Sequence, residues 1–455
     1  MAALAGSGFL SGCVTGTTPL TAKANRPNVV IFFTDDQGTL DVNCYGSKDL
    51  YTPTMDMLAK TGVQFTQAYA HTVCCPARAM LMTGRYPQRG NVNMWTQGNA
   101  KGEKKRNMFR QEVTIAEVLK GAGYRTGLFG KWHLGADFDH GPTEQGFDEF
   151  FGLRGGFIHN YNHYFLHGDG FHDLYEGTKE VFARGKYFPD MITDRAMRFI
   201  DKNRQVPFFM YVAFNTPHYP EQADKKFDDR YKDMKMPRQS YAKMISTTDD
   251  KMGKIVDRLE KHGLRDNTIV VFMSDNGHST EDIKIRRKNH TSGLAEGTNY
   301  GANGGGGNTG KWLGQKKSFL EGGIRVPAVI SYPAELGKGI IRDQAITAMD
   351  WMPTILDLCD VPLPDVKLDG KSLVPVIKSA TAKSPYDALY WQWGDRWAVR
   401  KGNWKLIGEG NKGQSLGNLN DPQPEKKNYI TEKSDIAKRL QALHTEWLKE
   451  VNPKH

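Results

Sequence analysis

The stretch NVVIFFTDDQG, residues 28–38, decides the fold. Asn28 to Phe33 is an unbroken apolar run rich in β-branched and aromatic residues. With no polar residue alternating through it, it reads as a strand buried on both faces. Similar runs recur at Arg125 to Phe129, Phe208 to Phe214, Thr268 to Met273 and Val326 to Tyr332. Helical patterns lie between them. Thr114 with Glu117 three residues on is a capping-box signature opening a helix to Lys120. Ser240 to His262 places Ile245, Met252, Ile255, Val256 and Leu259 at helical spacing, and Gly263 stops it. Strands alternating with helices predict an α/β fold: a large domain with a mostly parallel central sheet flanked by helices. In such sheets, chemistry gathers in the loops beyond the carboxyl ends of the strands. The first run ends there in Thr34-Asp35-Asp36. Two adjacent carboxylates where a buried strand meets its loop are costly unless a cation neutralises them; the alternative is a solvated turn.

Beyond residue 373 the pattern becomes loop-like to about residue 385. Ala388 to Trp393 and Trp397 to Ile407 then read as short strands, the second broken by a turn at Lys401-Gly402, and Ile436 to Val451 reads as an amphipathic helix. This predicts a catalytic-size domain over 27–375 and a small α+β C-terminal subdomain over 385–455. No internal repeat is visible.

The chain has 455 residues, 39% hydrophobic and 25% charged, which is ordinary for a globular protein with a substantial core. A formal charge of +10 points to an anionic partner, either nucleic acid or a sulfated or carboxylated glycan, or to a basic surface with no partner. No nucleic-acid-binding motif is present, so nucleic acid is not expected. Five cysteines (Cys13, Cys44, Cys74, Cys75, Cys359) form neither a disulfide framework nor a zinc-type pair. Residues 1–26 read as a signal or lipoprotein-like segment, or as a disordered tail. Met1 to Leu10 is small and apolar, and Leu10-Ser11-Gly12-Cys13 is similar to a bacterial lipobox, but no Lys or Arg precedes Lys23. The expectation is export to the periplasm, or a membrane-anchored bacterial lipoprotein with a lipid on Cys13.

A second informative stretch is CCPARAMLMTGRYP, residues 74–87. Pro76 suits the first turn of a helix, which puts Cys74 at the positive end and Arg78 four residues on along the same face. An anion could dock there, or Cys74 could serve as a thiolate nucleophile.

In these residues the chain resembles the type I, formylglycine-dependent sulfatases of the alkaline-phosphatase superfamily, whose signature is Cys-x-Pro-Ser/Ala-Arg followed by Leu-x-Thr-Gly-Arg. Ala77 stands where Ser is commoner. Further family segments follow in order: Asp35-Asp36, the GKWHLG box at 130–135, Pro217-His218, Ser274-Asp275-Asn276-Gly277, and Lys316 in QKKSFLEGGIRVP at 315–327. The resemblance spans about residues 27 to 360. It implies that a formylglycine-generating enzyme oxidises Cys74 to formylglycine before folding. One hydroxyl of its hydrate then attacks sulfur and the other later expels sulfate. It also implies one Ca²⁺ held by Asp35, Asp36, Asp275 and Asn276 together with residue 74. Arg78, Lys131 and Lys316 are implied to hold the nucleophile and sulfate oxygens, His133 to handle the hydrate proton, and His218 to protonate the leaving oxygen. Taken singly, each of these has a bland reading: surface lysines, structural histidines, a turn at Asp275-Asn276-Gly277.

Other segments bear on substrate. The basic loop KIRRKNH, 284–290, follows the second metal pair, so Lys284, Arg286 and Arg287 are candidates to grip further sulfates of a polymer; a solvated basic loop is the alternative. The aromatic, histidine-rich stretch FIHNYNHYFLH, 157–167, offers His159, and Trp95 is a sugar-stacking candidate. The expected reaction is sulfate-ester hydrolysis on a carrageenan-like galactan or a glycosaminoglycan. The alternatives are a phosphonate monoester or phosphodiester hydrolase of the same superfamily, and a catalytically silent binder of sulfated glycans.

Overall fold

Asn28–Asp35 (β1), buried along its whole length, lies in the middle of an 11-stranded sheet. The structure is a computed structural model and describes residues 26–96 and 106–452. The sheet's other main strands are β2 (Val63–Tyr69), β3 (Arg125–Lys131), β4 (Glu149–Leu153), β5 (Phe208–Pro217), β6 (Thr268–Ser274) and β7 (Arg325–Ser331). Their spatial order is β2-β7-β6-β1-β5-β3-β4, with short edge pieces outside β2 and β4. The block from β6 to β4 is parallel, whereas β7 runs antiparallel to both β6 and β2. The sheet is therefore mixed, with a parallel centre.

Alternate residues of the central strands feed two separate cores, as the period of a strand requires. Val29, Ile31 and Phe33 join Tyr211 and Val271 on one face, against helices α2 (Cys74–Thr83), α3 (Ile115–Gly121) and α6 (Trp351–Leu358). Val30 and Phe32 join Met210 and Val270 on the other, against α1 (Pro53–Lys60), α4 (Phe188–Asn203) and α5 (Arg238–Lys261). Burial on both faces is why these runs lack polar alternation. The Thr114/Glu117 capping box is present, with Glu117 N–H donating to Thr114 Oγ1 at 3.2 Å and Thr114 N–H to Glu117 Oε2 at 2.8 Å.

The C-terminal part is a four-stranded antiparallel meander, β8 (Leu389–Trp393), β9 (Arg396–Lys401), β10 (Trp404–Glu409) and β11 (Lys412–Asn418), covered by α7 (Ser434–Val451). It is fastened to the main domain by polar as well as apolar contacts. Trp391 Nε1 donates to Ala70 O at 2.9 Å. Lys405, 1% exposed, bonds Glu321 at 2.8 Å and Glu425 at 2.5 Å, and Glu321 also accepts from Tyr69 at 2.7 Å and Arg325 at 3.2 Å. Removing the ammonium would leave buried Glu425 without its cation and Glu321 with Arg325 alone. Lys405→Met is expected to cost about 3–5 kcal/mol in urea unfolding; a loss below about 1 kcal/mol would show the cluster to be slack.

Cys13 lies outside the described residues. Among those described, no helix is long and apolar enough to cross a membrane.

Candidate active site

Parallel strands bring their carboxyl ends to one edge. Register pairs Thr34 with Ser274, Asp35 with Pro217, and Gly130 with Ala213. The residues that follow, Asp36, Asp275, Asn276, His218, Lys131 and His133, therefore converge. Because β7 is antiparallel, its first residue starts at the same edge, and the preceding loop carries Lys316 there. Where β2 ends, also at this edge, the chain turns into α2 and delivers Cys74. The loops need close contact. A Cβ on Gly277 would sit 1.8 Å from Gly322 O, and one on Gly130 would sit 1.9 Å from Ala213 O.

Cys74 is the first residue of α2, and no side chain caps that end. Its Sγ donates to Asp35 Oδ1 at 3.3 Å. Ligand atoms of Asp35, Asp36, Cys74 and Asp275 all lie within 4.8 Å of one another. Three cations interleave with the carboxylates. Lys131 Nζ donates to Asp35 Oδ2 at 2.6 Å, Arg78 Nη2 to Asp275 Oδ2 at 2.8 Å, and Lys316 Nζ to Asp36 Oδ2 at 2.8 Å. Asn276 Nδ2 donates to Asp36 Oδ1 at 2.6 Å, while its buried Oδ1 has no partner among the described residues. All the residues in this network are at most 6% exposed. Asp36 and His133 sit at φ 64° and 56°, left-handed conformations uncommon for side-chain-bearing residues. Asp36 is held there through its N–H to Asp275 Oδ1 at 3.1 Å and its carbonyl to Tyr241 Oη at 2.8 Å.

Burial works to raise the Asp35 carboxyl, but Lys131, His218, Arg78 and Lys316 together hold it far below the usual carboxylate range. Burial, then the Asp35 charge, push Asp275 up to about 7 against the pull of Arg78. Burial and Asp35 also drive the Cys74 thiol upward, so an unmodified Cys74 is a neutral hydrogen-bond donor. Desolvation and the neighbouring carboxylate thus work against the positive helix end, which alone would favour a thiolate. His133 is kept neutral by burial and then by Lys131 and Arg78, and neither ring nitrogen has a partner among the described residues. His218 is lowered by burial and Lys316. Its Nδ1 donates to Tyr219 O at 2.5 Å, which leaves Nε2 turned toward Asp36 Oδ2 at 3.6 Å.

The network opens into a cavity of about 300 Å³ lined by Cys74, His133, His218, Lys316, Trp95 and Glu281, among others. Trp95 belongs to it: the ring stacks on His133 at 6.2 Å and meets Trp393 of the C-terminal sheet edge-on at 5.6 Å. Four other candidates do not. His159 spends Nδ1 on the N–H groups of Tyr161 and Asn162 and Nε2 on Gln222, so its ring closes its own turn. Lys284, Arg286 and Arg287 are exposed and outside the lining, with Arg287 paired to exposed Asp169 at 3.1 Å. Lys284 ends a short strand, Asp282–Lys284, and Ile285 beside it is buried with Phe157 and Tyr219 of the cavity wall. The lining also contains Phe157 and His167, the two ends of the aromatic, histidine-rich stretch, together with Tyr219, Glu281 and Lys317, which the sequence reading did not single out. Phe157 stacks on the His218 ring at 5.1 Å.

A sheet that gathers buried carboxylates, fixed cations and a helix-terminal cysteine at its strand ends fits a hydrolase of anionic esters, and the comparisons make the class a sulfuric ester hydrolase. The Sulfatase family profile matches residues 27–361, and the profile described as N-sulphoglucosamine sulphohydrolase, C-terminal, matches 310–451. Human arylsulfatase A is 32% identical over 84% of this chain and 75% of its own length. Mouse arylsulfatase J is 29% identical over 87% of this chain and 66% of its own length. The crystal structure of Ps i-CgsB in complex with k-i-k-neocarrahexaose superposes with a TM-score of 0.79 at 29% identity, covering 93% of this chain and 92% of the other. A sulfatase from the glycosaminoglycan metabolism of Bacteroides thetaiotaomicron gives 0.74 at 25% identity, covering 94% and 100%. The chain belongs to the sulfatase family of the alkaline-phosphatase superfamily.

Proposed function

We propose that this protein removes sulfate from a sulfated polysaccharide or its oligosaccharides, using formylglycine derived from Cys74 and one bound Ca²⁺. The observation that carries the reading is the buried alternation of Asp35, Asp36 and Asp275 with Lys131, Lys316 and Arg78 around the Cys74 side chain.

The donor set fits a hard divalent cation. Three carboxylates and an asparagine amide supply oxygen ligands, and the buried Asn276 Oδ1 has no other partner among the described residues. The three carboxylates are already balanced by three fixed cations, so a divalent ion would leave the site with about two positive charges. That excess suits an incoming sulfate monoester and a departing sulfate dianion. When bound, Ca²⁺ would supply Lewis-acid stabilisation to a sulfate oxygen and to the nucleophile. As the aldehyde hydrate, the side chain at position 74 would supply the attacking hydroxyl and a second hydroxyl to release sulfate.

The remaining roles fall to the chain's own groups. Lys131 and Lys316, both buried, hold preorganised charge beside the reacting centre, where each such donor is worth roughly 3–4 kcal/mol. Neutral His133 accepts a proton at an unpartnered ring nitrogen. His218, its Nδ1 proton fixed on the Tyr219 carbonyl, takes a proton from solvent at Nε2 and gives it to the leaving alcohol oxygen as the ester bond breaks. Phe157 holds that ring in place. Trp95 offers a face for a sugar, and the exposed Lys284, Arg286 and Arg287 can meet only more distant sulfates of a long chain. A polymeric substrate accords with the carrageenan oligosaccharide bound to Ps i-CgsB and with the glycosaminoglycan role of the Bacteroides relative. The lipobox-like segment accords with an exported enzyme that meets such polymers.

The test is sulfate release from defined carrageenan and glycosaminoglycan oligosaccharides, run beside aryl sulfate and phenyl phosphonate esters. Sulfate esters are expected to be cleaved with the higher kcat/KM. Faster phosphonate cleavage would overturn the reading in favour of a phosphonate hydrolase. Retention of glycan without release, with Cys74 confirmed as formylglycine, would leave only a binder.

A further inference from the structure

Glu281 is a carboxylate in the wall of a cavity otherwise built from cations, aromatics and histidines, and no role above uses it. It stands on the loop that follows Asp275-Asn276. Glu281 Oε1 accepts from Lys317 Nζ at 2.8 Å and Oε2 accepts from Ser279 Oγ at 3.1 Å, while its own N–H donates back to Ser279 Oγ at 3.2 Å. The side chain keeps 21% of its surface open, so it is placed firmly and still reachable. Lys316, Lys317 and His218 act on it electrostatically and hold the carboxyl down to about 2, against the effect of burial. Its charge also reaches Tyr219 and His167. Glu281 therefore borders the His218 side of the cavity, where the alcohol departs.

A pocket made only to attract polyanions gains nothing from a negative charge at that point. The pair with Lys317 makes this part of the wall neutral overall but rich in acceptor oxygens. A hydroxyl there can donate to Glu281; a second sulfate has no proton to donate, meets no uncompensated cation and lies against the carboxylate oxygens, and selective sites reject competitors in this way. We propose that Glu281 selects substrates whose carbon next to the scissile ester bears a free hydroxyl rather than a second sulfate. This rests on the sulfatase reading and adds a substrate rule to it. Sulfates farther along the chain are unaffected by it.

The experiment compares kcat/KM for catechol monosulfate and catechol disulfate, and for the best hexoside monosulfate and its vicinally disulfated counterpart. The wild-type enzyme is expected to favour the hydroxyl-bearing member of each pair by at least about tenfold. Glu281→Gln should shrink that ratio by about tenfold or more, chiefly through a lower KM for the disulfate, and Glu281→Asp should keep it. Lys317→Met, which strips the carboxylate of its counter-charge, should enlarge it. Equal losses on both substrates in Glu281→Gln, with the ratio unchanged, would reduce Glu281 to an anchor for Lys317 and overturn the proposal. Wild-type protein carrying formylglycine that cleaves none of these esters would instead overturn the sulfatase reading.

Discussion

Cys74→Ala is expected to lower kcat/KM on aryl sulfates by about 10⁴-fold or more, the scale of removing a nucleophile from a site whose other parts are intact. The reasoning is geometric. Position 74 sits where α2 starts, one hydrogen bond from Asp35 and within reach of every carboxylate in the cluster. The cations and carboxylates hold one another through direct bonds that do not pass through Cys74, so they should stay in place. Unfolding midpoints close to wild type would accompany the loss. Steady-state turnover within about tenfold of wild type would remove Cys74 from the chemistry.

His218→Ala is expected to discriminate between substrates. For sugar sulfates, whose alkoxide leaves poorly, kcat should fall by about 10²–10⁴-fold, the usual contribution of a positioned acid. For nitrophenyl sulfate, whose phenolate needs no proton, the fall should stay below about tenfold. The structure supports this split because Nδ1 is committed to the Tyr219 carbonyl and Phe157 braces the ring, leaving Nε2 as the free nitrogen facing the cluster. Equal losses across a series of leaving groups would make His218 a structural or charge-balancing residue.

The parts of the fold that could be read in advance are those where burial leaves a local mark. β1, β5 and β6 carry unbroken apolar runs because both faces are covered, and α3 and α5 announce their ends with a capping box and a glycine. β2, with Gln64, Thr66 and Gln67 in the run, has the mixed composition of a strand that is only partly covered, and it left no such mark. At the site, the acidic pairs, Lys131, Lys316 and the two histidines were legible through the resemblance, which reports order along the chain. What no local pattern reports is which loop residues face inward. Glu281 and Lys317 reach the cavity through the packing of loops far apart in sequence, and Trp393 reaches Trp95 only because the C-terminal sheet docks against the main domain. The charge of Lys284, Arg286 and Arg287 is conspicuous in sequence, but no local pattern reports that these side chains stand exposed outside the cavity lining, where they can meet only distant sulfates. His159 lies outside the lining for a different reason: its two ring nitrogens are spent within its own loop and on Gln222.

The most direct measurement varies the fraction of chains that carry an aldehyde at position 74, by expressing the protein with different amounts of a formylglycine-generating enzyme. Mass spectrometry of the peptide spanning Cys74 gives that fraction, and sulfate release gives kcat for the same preparations. Turnover should rise in proportion to the aldehyde fraction and vanish with it. Undiminished turnover in protein whose Cys74 is wholly unmodified would contradict the account.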